Sequence, residues 1–132
     1  MVDTILVVDD SPDIALISAR MLTRHGYAVM TANSGTEALA MIARRRPSCV
    51  LLDVMMPGMN GLDVLRALKA NPATATIPSI MVTAKSADDD LLSGYQQGAD
   101  YYITKPFTAD ELVHGVRLVL GSPGAQPSPR AT

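Results

Sequence analysis

Short apolar runs alternate with amphipathic stretches five times along the chain. Ile5-Leu6-Val7-Val8 is the first run. It is short, rich in β-branched residues and halted by two carboxylates, the pattern of a buried strand. Ser11-Pro12 opens the helix that follows, with serine as the cap and proline in the first turn. Ile14, Ile17 and Met21 fall on one face of that helix, and Gly26 closes it. Residues 27–31 read as a weaker second strand. Ser34 and Glu37 then have the spacing of a capping box, with Leu39 and Ile42 on one face behind them.

The third strand, Cys49-Val50-Leu51-Leu52, ends at Asp53. A loop of turn residues at 56–61 leads to a helix around residues 62–69, which carries Leu62, Leu65 and Leu68 and stops at Asn71-Pro72. Ile80-Met81-Val82 forms a fourth strand ending at Thr83. Ser86 caps a helix with Asp88, Asp89 and Asp90 in its first turn, where carboxylates favour the helix dipole, and Gly98 stops it. Tyr101-Tyr102-Ile103 is a fifth strand running to Lys105-Pro106. Thr108 and Glu111 make another capping box, opening a helix with Leu112, Val116 and Val119 on its inner face. Strands alternating with helices of these lengths imply right-handed parallel βαβ units. The expected fold is therefore α/β: a doubly wound parallel sheet of five strands with five helices. Residues 1–120 form the domain, and 121–132, poor in bulky apolar residues, read as a flexible tail or linker.

Composition narrows the function. Hydrophobic residues make up 48% of the chain, enough for a sizeable core, and the formal net charge of -2 argues against direct nucleic-acid binding by this segment. The one basic run, Arg44-Arg45-Arg46, sits at a helix end and complements its dipole. Cys49 is the sole cysteine and opens an apolar run, so a buried, inert thiol in a reducing compartment is expected. No apolar run is long enough to span a bilayer, and no basic segment precedes the first one, so a cytoplasmic protein is expected.

In a doubly wound sheet the ligand site lies beyond the carboxyl ends of the strands. Here those ends carry Asp9 and Asp10, Asp53, Thr83 and Lys105. Singly, each reads as a turn residue or a surface charge. Together, three carboxylates repel and call for a neutralising cation. Mg²⁺ suits them, since it takes a few carboxylates together with waters and phosphate oxygens. An Asp carboxylate can then act as nucleophile and form an acyl phosphate.

Asp-Asp after the first strand, a lone Asp ending the third with Met-Pro-Gly-Met-Asn-Gly beyond it, Thr-Ala after the fourth and Lys-Pro-Phe after the fifth resemble the receiver domain of two-component response regulators. The resemblance covers about residues 4–120. It implies a flavodoxin-like sheet of order 2-1-3-4-5 and self-catalysed phosphorylation of Asp53. The phosphoryl group would come from a sensor histidine kinase or a phosphotransfer protein. It further implies Mg²⁺ held by Asp9, Asp10, Asp53 and the backbone carbonyl of Met55. Thr83 is implied as the hydroxyl that meets the phosphoryl group, Lys105 as the phosphate-contacting lysine before a cis peptide, and Tyr102 as the aromatic switch. The output partner is left open.

Two departures matter. Tyr101 stands where many transcription-factor receivers carry an acid that helps build a symmetric dimer face, although Asp100 and Arg117 are present. No output domain follows in this sequence. Lys85 and Met55 flank the pocket and are expected to tune hydrolysis. An aspartyl-phosphate hydrolase of the haloacid-dehalogenase type would need an acid two residues after the nucleophile, where Met55 stands. A docking module that has lost phosphorylation would lack an acid, the threonine or the lysine, and none is missing. His25 and His114 are expected on the surface as neither ligand pair nor triad.

Overall fold

The computed structural model describes residues 2–84 and 98–121. Five strands, β1 (Thr4–Val8), β2 (Ala28–Ala32), β3 (Cys49–Asp53), β4 (Ser79–Ala84) and β5 (Tyr101–Lys105), form one parallel sheet of order β2-β1-β3-β4-β5. The helices described are α1 (Pro12–Thr23), α2 (Gly35–Arg44), α3 (Gly61–Ala70) and α4 (Ala109–Leu120). The expected helix opening at Ser86 lies outside the described residues, as do Lys85 and the tail from 122 onward.

Alternation along the strands builds two cores. Ile5, Val7, Cys49, Leu51 and Ile80 face one side, with Leu22 of α1 and Leu112 and Val116 of α4. Leu6, Val8, Val50, Leu52 and Met81 face the other, with Ile42 of α2 and Leu65 and Leu68 of α3. Successive side chains of a strand point to opposite faces, so strands covered on both sides read as unbroken apolar runs. Burial pushes the Cys49 thiol far above its ordinary range, which keeps it inert.

The caps follow the sequence. Ser11 accepts from the Ile14 N–H, and Thr108 and Glu111 form the reciprocal pair expected of them. At α2 the box is displaced by one residue. Ser34 accepts from Glu37, but the Glu37 carboxylate takes the N–H of Asn33, the residue before the cap.

The buried face of α1 differs from the expected one. Ala15, Ser18 and Leu22 face the sheet, Ile14 and Met21 lie at its margins, and Ile17 is 51% exposed. A helix settles where small residues let its backbone approach, whereas a count of large apolar side chains favoured the neighbouring stripe. We predict that Leu22→Ala costs about 2–5 kcal/mol, the range for a buried leucine. Ile17→Ala should stay within about 0.5 kcal/mol of wild type, as for exposed positions. Urea denaturation of both variants checks this, and equal losses would return Ile17 to the buried face.

Candidate functional site

The register sets the site. Val8 lies opposite Leu52, Asp53 opposite Val82, Thr83 opposite Thr104, and Ala84 opposite Lys105. Asp9, Asp53, Thr83 and Lys105 therefore come together at the carboxyl edge of β1, β3, β4 and the outer strand β5, and Asp10 follows on the turn into α1. One carboxylate oxygen from each of Asp9, Asp10 and Asp53 lies within 4.8 Å of the others. Asp9 and Asp53 are buried, while Asp10 is exposed.

Each group is held by its neighbours. Asp9 Oδ1 accepts the Ser11 N–H at 2.9 Å, and Asp9 Oδ2 accepts from Lys105 Nζ at 3.2 Å. The Asn33 side chain donates to the Asp9 carbonyl at 3.1 Å, so the β2–α2 turn braces the first strand end. Asp53 Oδ1 takes the Met55 N–H at 3.3 Å and lies 3.4 Å from Lys105 Nζ. Neither Asn33 nor the Ser11 backbone stood out in the sequence, because an Asn near a cap has many uses and a backbone N–H has no signature. The Lys105-Pro106 peptide is cis, as expected.

Charge is unbalanced here. Among the described residues one ammonium, that of Lys105, pairs with two of the three carboxylates. Burial and the Asp9 charge push the Asp53 carboxyl up to about 6, and Lys105 only partly opposes them. A cluster of oxygen ligands with surplus negative charge fits a hard divalent cation. The Thr83 hydroxyl is fully buried and finds no hydrogen-bond partner among the described residues, so the site also holds a donor in need of an acceptor.

The remaining expected residues are placed as follows. The Met55 side chain is 66% exposed beside Asp53. Tyr102 is half-buried against the core side that holds Met81, and Tyr101 packs on the opposite side, near Gly115. Asp100 accepts the Ser79 N–H at 2.8 Å, which ties it to the start of β4. His25 and His114 are both exposed and belong to no metal-binding group among the described residues.

The sequence pattern of the response regulator receiver domain matches residues 5–117, and the chain belongs to that family, the receiver domains of two-component signalling. It is 43% identical over 122 residues to the probable transcriptional regulatory protein TcrX of Mycobacterium tuberculosis, covering 92% of this chain and 51% of that one. It is also 43% identical over 121 residues to the phosphate regulon transcriptional regulatory protein PhoB of Pseudomonas aeruginosa, covering 92% and 53%. The chain thus spans about half the length of the curated relatives it matches. The fold is the flavodoxin-like one of solved receivers. A putative response regulator from Chloroflexus aurantiacus matches with a TM-score of 0.88 at 34% identity, over 92% of this chain and all of that one (100%). Chemotaxis protein CheY4 of Vibrio cholerae matches with a TM-score of 0.86 at 31% identity, over 91% and 100%.

Proposed function

We propose that this receiver accepts a phosphoryl group on Asp53 from a sensor histidine kinase or a phosphotransfer protein. Asp9, Asp10, Asp53 and the Met55 backbone carbonyl would hold Mg²⁺. The observation that carries the reading is the charge balance: Lys105 lies 3.2 Å from Asp9 and 3.4 Å from Asp53, and it is the one cation paired with the three-carboxylate cluster among the described residues. When bound, Mg²⁺ supplies the positive charge that lets a dianionic phosphoryl group approach this edge.

The chain's own residues supply the rest. Met55 and Lys105 engage Asp53 Oδ1, which leaves Oδ2 without a hydrogen bond among the described residues and open to attack phosphorus. An O–P bond forms as the P–N bond of a phosphohistidine donor breaks, and the departing imidazole keeps the electron pair and takes up a proton. Lys105 then meets a phosphoryl oxygen, and the Thr83 hydroxyl, without a partner among the described residues, donates to another. Movement of Thr83 toward the phosphoryl group, followed by Tyr102 turning inward, shifts the population between two packings of the outer face.

The role is that of a signalling switch in the cytoplasm rather than turnover of a metabolite. The output would be a partner or a further domain. Relatives named as transcriptional or DNA-binding regulators are about twice the matched length, and the Pro-, Gly- and Ser-rich composition of residues 121–132 suits a connector. A docking module without phosphorylation would not need the buried Thr83 hydroxyl and the Lys105 pairing together.

Intact-mass spectrometry after incubation with acetyl phosphate, with Mg²⁺ or with EDTA, tests the reading. A single phosphoryl adduct that forms only with the metal is expected. No adduct on folded protein in either condition would leave the docking module as the better account.

A further inference from the structure

Ser18 lies on the sheet-facing stripe of α1, between Ala15 and Leu22, and is only 3% exposed. A hydroxyl shut away from bulk water needs a hydrogen-bond partner. Among the described residues the Ser18 hydroxyl has no hydrogen-bond partner. It opens instead onto a cavity of about 10 Å³ on the core side of the acidic cluster. The polar walls of that cavity are Asp9, Ser18 and Asp53; apolar side chains such as Val82, Phe107 and Leu112 close the rest.

That volume is about what one water molecule needs, and such a water needs two to four polar partners. The walls match a water's own valence. Ser18 can donate one hydrogen bond to it, and the two carboxylates can accept its two hydrogens. Met55 and Lys105 both engage Asp53 Oδ1, whereas no described protein donor reaches Oδ2. We propose that a single water held by Ser18 bridges to the Asp9 and Asp53 carboxylates. Ser18 is then a positioning residue that sets the orientation of the phosphoryl acceptor. The kinetic part of this inference rests on the function proposed above; the bound water does not.

Crystal structures fine enough to place single waters, together with acetyl phosphate phosphorylation rates at saturating Mg²⁺, test the proposal. Wild type should show one water within hydrogen-bond distance of Ser18 Oγ, and Ser18→Ala should lose it while remaining folded. The Ser18→Ala rate should fall about fivefold, the equivalent of one ordinary hydrogen bond. Ser18→Thr, which keeps the hydroxyl, should retain the wild-type rate. A dry cavity in wild type, a Ser18→Ala rate equal to wild type, or a Ser18→Thr variant as slow as Ser18→Ala would each overturn it. Should wild type take no phosphoryl group at all, the proposed function fails alone, and the water density still decides this inference.

Discussion

Asp53→Asn is expected to abolish the phosphoryl adduct and, in EDTA at neutral pH, to melt higher than wild type. The amide oxygen is no nucleophile toward phosphorus, while the side chain keeps its shape and can still accept the Met55 N–H. The stability gain comes from charge. In the folded protein, burial and Asp9 act against the Asp53 carboxylate more strongly than Lys105 supports it, which is why its pKa is pushed up to about 6. A neutral amide at this position removes both penalties at once, and Lys105 keeps Asp9 as its partner. A rise of about 2–5 °C is the expected scale for a domain of this size. Intact mass and thermal melts on the same samples read both effects. An adduct of undiminished yield on the variant would remove Asp53 from its proposed role, and a lower melting temperature would mean that the Lys105 pairing dominates after all.

The same carboxyl gives a pH signature. Its folded-state pKa of about 6 lies above its ordinary value of 3.8. Between those values the folded protein holds a proton that the unfolded chain has released. Stability from this group is therefore complete below about pH 4 and is lost as pH rises through about 6. Metal-free wild type minus Asp53→Asn should show that decline across the window and a plateau above it, since other titrating groups largely cancel in the difference. Saturating Mg²⁺ should lift the high-pH arm of wild type, because a ligand bound only to the folded state stabilises it. A flat difference curve would mean that the buried carboxyl is not held up by its surroundings.

Much of this was legible in the sequence, for physical reasons. Strands covered on both faces show as unbroken apolar runs, so Ile5-Leu6-Val7-Val8 and Cys49-Val50-Leu51-Leu52 declared both the sheet and its burial. Each run ends at a polar side chain that breaks the apolar pattern, which placed Asp9, Asp53 and Thr83 at one edge. What escaped were features that depend on distance rather than on residue type. The inner stripe of α1 is set by the small residues Ala15 and Ser18, and pattern reading weighs the large ones. The brace from Asn33 to the Asp9 carbonyl joins residues 24 positions apart through one amide and leaves no periodic trace. That the Thr83 hydroxyl has no partner among the described residues is likewise a property of its surroundings, since a strand threonine is ordinary in sequence.

Gly61 belongs with these, and its replacement carries the second large expected effect. In sequence it closes a loop of turn residues. In the fold it is the first residue of α3, and its N–H donates to the Val54 carbonyl at 3.2 Å. A Cβ on Gly61 would run into the backbone carbonyl of Asp53 and come within 3.1 Å of Met81 Cε. The methionine end can give way; the Asp53 carbonyl cannot, because it moves only with the end of β3 and so with the carboxylate it carries. Gly61→Ala should therefore destabilise the domain by about 3 kcal/mol, the upper part of the range for overpacking a tight site. It should also slow Mg²⁺-dependent adduct formation in whatever fraction stays folded. Gly58→Ala is the matched control: its φ of +70° strains an alanine, but among the described residues nothing lies within 4 Å of the added methyl. That strain should cost about 1–2 kcal/mol and leave the phosphorylation rate of the folded protein unchanged, because no pressure reaches Asp53. Urea denaturation and intact-mass kinetics on the two variants separate the cases. Equal rates for both would show that β3 yields without disturbing its carboxylate, and the close approach of Gly61 would then be a matter of packing alone.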